Sequence, residues 1–218
     1  MEPILRTGGT VDWITVTLFA SLLFLVVAKS LFYGRFLNFI ILPFNNKYVV
    51  MYNKKDKLLN WFHIFLTVFQ LLNCALFLHF VWQILISPAN RSQLIIFISI
   101  LGALILFLLL KVFLQLSNGF VFNNTKVISE FIFRKLSYLN YSALIMFVTN
   151  VLLAYVFEGS KAVVFVSIFV IIVINGIGWF SILKNHQKFI ASYFFYFILY
   201  LCALEFAPFI IIANYLKD

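Results

Sequence analysis

Between Trp61 and Ile86 the chain runs twenty-six residues without one Asp, Glu, Lys or Arg. A helix rises about 1.5 Å per residue, so about 20 apolar residues cross the roughly 30 Å hydrocarbon layer of a bilayer. Runs of this kind recur along the chain: Trp13 to Tyr33, Trp61 to Ile86, Gln93 to Leu116, Leu136 to Phe157, Ala162 to Leu183 and Phe189 to Leu216. They are continuous, whereas the strands of a membrane barrel alternate apolar and polar residues. A helix is then the way to satisfy the buried backbone. The expected fold class is all-α: an integral membrane helical bundle of about six transmembrane helices, with residues 1–218 forming a single transmembrane domain.

With 64% hydrophobic and only 11% charged residues, the chain lacks the polar surface of a water-soluble domain. Met1 to Thr10 balances Glu2 against Arg6 and no small-residue cleavage site follows, so the first span is expected to stay in the mature protein. Cys74 and Cys202 fall inside spans and form no CxxC pair, which makes them packing residues.

Cytoplasmic loops retain Lys and Arg during insertion. Counted on alternate sides of the spans, Lys29, Arg35, Lys47, Lys54, Lys55, Lys57, Lys111, Lys126, Arg134, Lys135, Lys184 and Lys188 lie on one side. Arg6, Arg91, Lys161 and Lys217 lie on the other, 12 against 4 of the 16. Both termini are therefore expected outside. The net charge of +9 then reflects topology and contact with anionic lipid, and no nucleic-acid partner is expected.

The loop after the first span reads LPFNNKYVVMYNKKDKLLNWF, Leu42 to Phe62. One reading makes it an interfacial segment, its aromatic rings at headgroup level and Lys47, Lys54, Lys55 and Lys57 on lipid phosphates. The other makes it a docking surface for a cytoplasmic partner, with Asn45, Asn46 and the lone acid Asp56 among the lysines. A weak internal echo adds to the organisation: Phe44-Asn45-Asn46 and Phe122-Asn123-Asn124 are 78 residues apart, as are Lys57-Leu58 and Lys135-Leu136. That offset points to repeated helical hairpins.

The strings FNNKYVVMYNKKDKLLNWF and FILYLCALEFAPFIII, the latter Phe197 to Ile212, resemble an uncharacterised family of multi-span inner-membrane proteins from Bacteroidota, domain of unknown function 4271. The resemblance covers nearly the whole chain in span order. It implies a Gram-negative cytoplasmic membrane, so that both termini would be periplasmic, and it brings no catalytic residue or cofactor. A role beside gliding-motility or type IX secretion machinery is an expectation of lineage for which no residue argues.

Ionisable groups at membrane depth are costly and mark function. Glu205 stands inside the last span, three residues before Pro208, whose missing N–H frees the Leu204 carbonyl and kinks the helix. Helical rise puts His79 and Asn150 near the level of Glu205. His63, Gln70 and Asn73 share one face by their seven- and three-residue spacings, and His79 and Gln83 share another. Such stripes either glue helices or line a path. Lys29 and Lys111 are expected to snorkel from their helix ends. Asn118-Gly119 reads as a turn after the third span, while Gly176 and Gly178 read as places of close helix approach or bending.

No GxSxG, HExxH or Walker A string is present. His63 and His79 are about 24 Å apart along one helix, too far to share an ion or a haem. No catalytic residue, metal or cofactor is expected. Three functions remain on the sequence. The leading one is a non-catalytic inner-membrane subunit or assembly factor, whose partners are membrane lipids and other membrane proteins. The second is a small-solute or proton-coupled transporter using Glu205. The third is an intramembrane lipid-modifying enzyme with Glu205 and His79 as its acid-base pair.

Overall fold

The computed structural model describes residues 12–43, 48, 51–52, 60–85, 93–121 and 125–185, and all the helical segments among them are α-helical. The helices are α1 (Asp12–Leu31), α2 (Tyr33–Ile40), α3 (Trp61–Leu85), α4 (Gln93–Val121), α5 (Thr125–Tyr155) and α6 (Lys161–Asn185). Five of them, all but α2, are long and apolar enough to cross a membrane. The sixth expected span, Phe189 to Leu216, lies outside the described residues. The chain divides into two compact units, Met1–Gly178 and Trp179–Asp218. The described part of the second is the end of α6 alone.

Within the first unit, helix α3 is central, buried along half its span. Contacts Trp13 to His79, Phe24 to Phe65 and Phe32 to Phe62 run in opposite senses along α1 and α3, so these two are antiparallel. Contacts His63 to Phe133, Phe69 to Phe147 and the Asn150 amide to the Asn73 carbonyl advance together, so α3 and α5 are parallel. One end of this unit therefore gathers Arg35, His63, Arg134 and Lys135, the basic end. The other gathers Trp13, His79, Phe97 and Tyr155. Large side chains along α4 and α6, such as Phe113 and Phe169, are left outward as lipid contact requires.

Two sequence expectations do not hold. Helix α5 begins at Thr125, eleven residues before the apolar run at Leu136. Its first turns hold Glu130, Arg134 and Lys135, and the Arg134 guanidinium meets the Glu130 carboxylate at 3.3 Å across one turn, so charge does not end the helix. Asn118 and Gly119 lie within α4, which continues to Val121; one glycine costs a helix about 1 kcal/mol, less than a break would.

In the loop expected to lie at the lipid surface, Leu42 and Tyr48 turn inward whereas Met51 is exposed. Helix α1 stops at Phe32 (φ −132°, ψ 47°) and α2 buries Phe36 and Phe39. Tyr48, only 1% exposed, packs among Phe39, Phe62 and Phe133. Between α5 and α6 the chain reverses within Val156–Ser160. The amides of Val156 and Phe157 donate to the Leu152 carbonyl, and Gly159 takes φ 71°, a left-handed conformation that glycine adopts without strain.

The two α6 glycines differ. A Cβ built on Gly178 would stand 2.6 Å from Cγ of Tyr138, while nothing lies within 4 Å of one on Gly176. Tyr138 is buried and its hydroxyl donates to the Leu42 carbonyl at 3.5 Å, so the ring cannot swing away cheaply. Gly178→Ala is expected to lower stability by about 1–3 kcal/mol, whereas Gly176→Ala should be neutral or raise it by up to about 1 kcal/mol through helix propensity. Thermal unfolding of both variants in detergent checks this; equal midpoints would contradict the close approach.

Candidate functional site: a polar seam and its basic end

Helices α3 and α5 present matched faces. His63, Gln70 and Asn73 repeat at spacings of seven and three, and so do Asn140, Phe147 and Asn150, an offset of 77. Because the helices are parallel and the Asn150 amide meets the Asn73 carbonyl, equal spacing puts Asn140 near the level of His63. All five polar members are at least nine-tenths buried.

The hydrogen bonds reveal what these groups lack. The Asn73 Nδ2 donates to the Phe69 carbonyl at 2.8 Å, and the Asn150 Nδ2 donates to the Asn73 carbonyl at 2.9 Å. A backbone carbonyl only accepts, so the amide nitrogens must lie on these sides and the oxygens on the others. Both Oδ1 atoms, like Oε1 of Gln70, are buried without a hydrogen-bond partner, as are both amide atoms of Asn140. Asn73 and Asn150 thus use their donors and leave their acceptors open, while Asn140 leaves both open. Burying a polar group without a hydrogen bond costs about 1–3 kcal/mol on the evidence of protein mutants.

Histidines stand toward the two ends. At the basic end His63 Nε2 shares a hydrogen bond with the Tyr48 hydroxyl at 3.1 Å, and the Phe133 ring meets the imidazole edge to face at 4.5 Å; its Nδ1 has no partner. At the other end His79 is 2% exposed, with Trp13 edge-on at 5.3 Å and neither ring nitrogen bonded. His79 lies six residues from Asn73, about 9 Å along the helix. It is therefore not at the level of Asn150, contrary to the depth ranking from sequence, because Asn150 pairs with Asn73. Gln83, expected on the His79 face, is exposed.

Around the basic end, the Arg35 guanidinium lies 5.6 Å from the Phe32 ring centroid and 5.2 Å from that of Tyr52, an arrangement that cation–π attraction favours. Asn38 donates to the Tyr52 hydroxyl at 3.4 Å. Among the described residues Arg134 is the largest fully buried side chain. Lys111, expected to snorkel, holds its Nζ 5.5 Å from the ring of Phe107 on its own helix.

The profile of the family described as Domain of unknown function (DUF4271) matches residues 14–216. The chain belongs to that family. No curated protein and no solved structure matches it. Within this DUF4271 chain, three sequence candidates fall in the described bundle: Asn73 and Asn150 are brought together, while His79 stands apart beside Trp13. Glu205 and Pro208 lie outside the described residues, as do Asn45, Asn46, Lys47, Lys54, Lys55 and Lys57. Sequence reasoning missed Asn140 and the burial of Arg134. The 7-and-3 spacing repeated at offset 77 was the signal for Asn140; Phe147 in its middle position hid the stripe.

Proposed function

We propose that this chain sits in a bacterial cytoplasmic membrane, with its basic end in the cytoplasm and its termini in the periplasm, and passes protons or small hydrogen-bond-donating cations along the α3–α5 seam. One observation carries the reading: Gln70, Asn73 and Asn150 bury acceptor oxygens that have no hydrogen-bond partner, while the amide nitrogens of Asn73 and Asn150 donate to backbone carbonyls. Groups that only glue helices satisfy one another, and in lipid an unsatisfied acceptor is retained at a cost of several kcal/mol. Open acceptors match a permeant that donates. The alternative, a subunit or assembly factor near motility or secretion machinery, draws no support from these groups. They face inward, where a partner helix does not reach.

Purified protein reconstituted into liposomes loaded with a pH-reporting dye tests the proposal under an imposed membrane potential. Proton or ammonium-driven pH change should exceed that of protein-free vesicles, and Gln70→Leu should lower it at least about tenfold, since each 1.4 kcal/mol is tenfold in rate. Glu205→Gln, which keeps shape and abolishes titration, should lower proton flux as well. Flux equal to protein-free vesicles for protons, ammonium, sodium and potassium would overturn the reading, and a stoichiometric membrane partner recovered from native purification would then favour the subunit alternative.

A further inference from the structure

The amide oxygens of the seam narrow what can pass along it. Gln70 and Asn73 are three residues apart on one face of α3, a rise of about 4.5 Å. Asn150 of α5 stands at the level of Asn73 through its 2.9 Å hydrogen bond to the Asn73 carbonyl. Three buried oxygens without a hydrogen-bond partner, Oε1 of Gln70 and Oδ1 of Asn73 and of Asn150, therefore fall within about 5 Å along the helices. By the same register Phe147 stands at the level of Gln70, and its ring lies 5.9 Å from that of Phe69.

Protons, alkali ions and ammonium ask different things of such a place. A proton needs groups that take it up and give it back, and a carboxamide does neither near neutral pH. Helix α3 contains no Asp or Glu, and the one acid of α5, Glu130, meets Arg134 at the basic end. An alkali ion needs rings of oxygens to replace its water, as the backbone carbonyls of potassium filters do. Here the carbonyls belong to intact helices, and those of Phe69 and Asn73 each already accept a side-chain amide. Ammonium asks for less, because each N–H takes one acceptor along one direction and an aromatic face attracts the cation. At the end of Trp13 and Tyr155 the charges among the described residues are Asp12, Glu158 and Lys161, all exposed, a balance that draws cations to that end.

We propose that Gln70, Asn73 and Asn150 form a site for ammonium, which donates one N–H to each of the three oxygens and turns the fourth toward the Phe147 ring. The site rests on the seam being a path and names what the path selects. A site built to receive N–H groups rejects an ion that has none.

Currents from proteoliposomes of the full chain, adsorbed on a solid-supported membrane, test the site, because they register entry of the charged ion and not diffusion of ammonia through lipid. A jump in ammonium chloride should give a current at least about tenfold larger than equal jumps in sodium or potassium chloride, or a pH jump of equal driving force. Gln70→Met, which keeps the side-chain length and removes the oxygen, should lower the ammonium current at least about tenfold. Gln70→Glu, which places a carboxylate there, should raise the proton current and erase the selectivity, and it serves as the test if the Met variant fails to fold. Parental ammonium current in Gln70→Met, parental selectivity in Gln70→Glu, or equal ammonium, sodium and potassium currents in the parent would overturn the site and leave the seam as a path. A proton current without an ammonium current would do the same. Absence of current for every ion would overturn the path itself, and the site with it.

Discussion

Arg134→Ala is expected to cost the folded protein about 3–4 kcal/mol, enough to remove most of it from detergent extracts. Two effects add. The side chain is 1% exposed and the largest fully buried one among the described residues, so truncation opens a cavity, and large-to-small core changes cost about 2–5 kcal/mol. The Glu130 carboxylate, 3.3 Å away and 30% exposed, then loses this cation. Breaking a fully buried pair costs about 3–5 kcal/mol, but the partial exposure of Glu130 allows solvent to recover part of that, which holds the sum near the lower figure. The reverse change, Glu130→Gln, leaves the guanidinium buried with a neutral acceptor and should cost about 1 kcal/mol. The double variant Glu130→Gln with Arg134→Met replaces the ionic group by one of similar volume and should recover at least half of the loss. Unfolding midpoints of the four proteins, measured in one detergent, decide the matter. An Arg134→Ala protein as stable as the parent would mean that its burial is energetically idle.

The same residue shows why the spans were legible and their ends were not. Hydropathy integrates over some twenty residues, so the runs at Trp61 to Ile86 and Gln93 to Leu116 match helices whose membrane segments end at Leu85 and Leu114. It cannot tell a charge that leaves the bilayer from one that turns into protein. Glu130, Arg134 and Lys135 therefore read as loop, although they sit in the opening turns of α5. Tyr48 failed for a related reason: a basic, aromatic segment has the composition of an interfacial strip. Only long-range packing against Phe62 and Phe133 brings it inside. The stripe of His63, Gln70 and Asn73 was legible because helical spacing depends on the local chain alone. That Asn150 meets Asn73 instead of His79 was not, since equal depth estimates carry an error of several residues at each helix end. The sequence echo at 78 differs by one residue from the 77 that separates Asn73 from Asn150 on the parallel α3 and α5, so the contact register is not that of the echo.

The two buried asparagines of α5 should respond to one substitution with opposite signs. Asn150→Leu removes the donor that serves the Asn73 carbonyl at 2.9 Å, and losing a buried hydrogen bond while stranding its partner costs about 1–3 kcal/mol. Asn140 is fully buried with neither amide atom hydrogen-bonded. Leucine there strands no partner and relieves the desolvation of an unpaired amide, so Asn140→Leu should raise stability, by about 1–2 kcal/mol. Natural proteins keep a destabilising residue where function needs it. Asn140 shares the level of His63 at the basic end of the seam, and its two unpaired atoms can each meet a passing donor or acceptor. The stabilised Asn140→Leu protein should therefore lose proton or cation flux in liposomes at least about tenfold, a change of about 1.4 kcal/mol in barrier. Unfolding midpoint and flux are read from the same preparation. Destabilisation of both variants alike would show that Asn140 is held by its surroundings after all. A more stable Asn140→Leu protein with parental flux would separate this residue from the path while leaving the energetics of the seam intact.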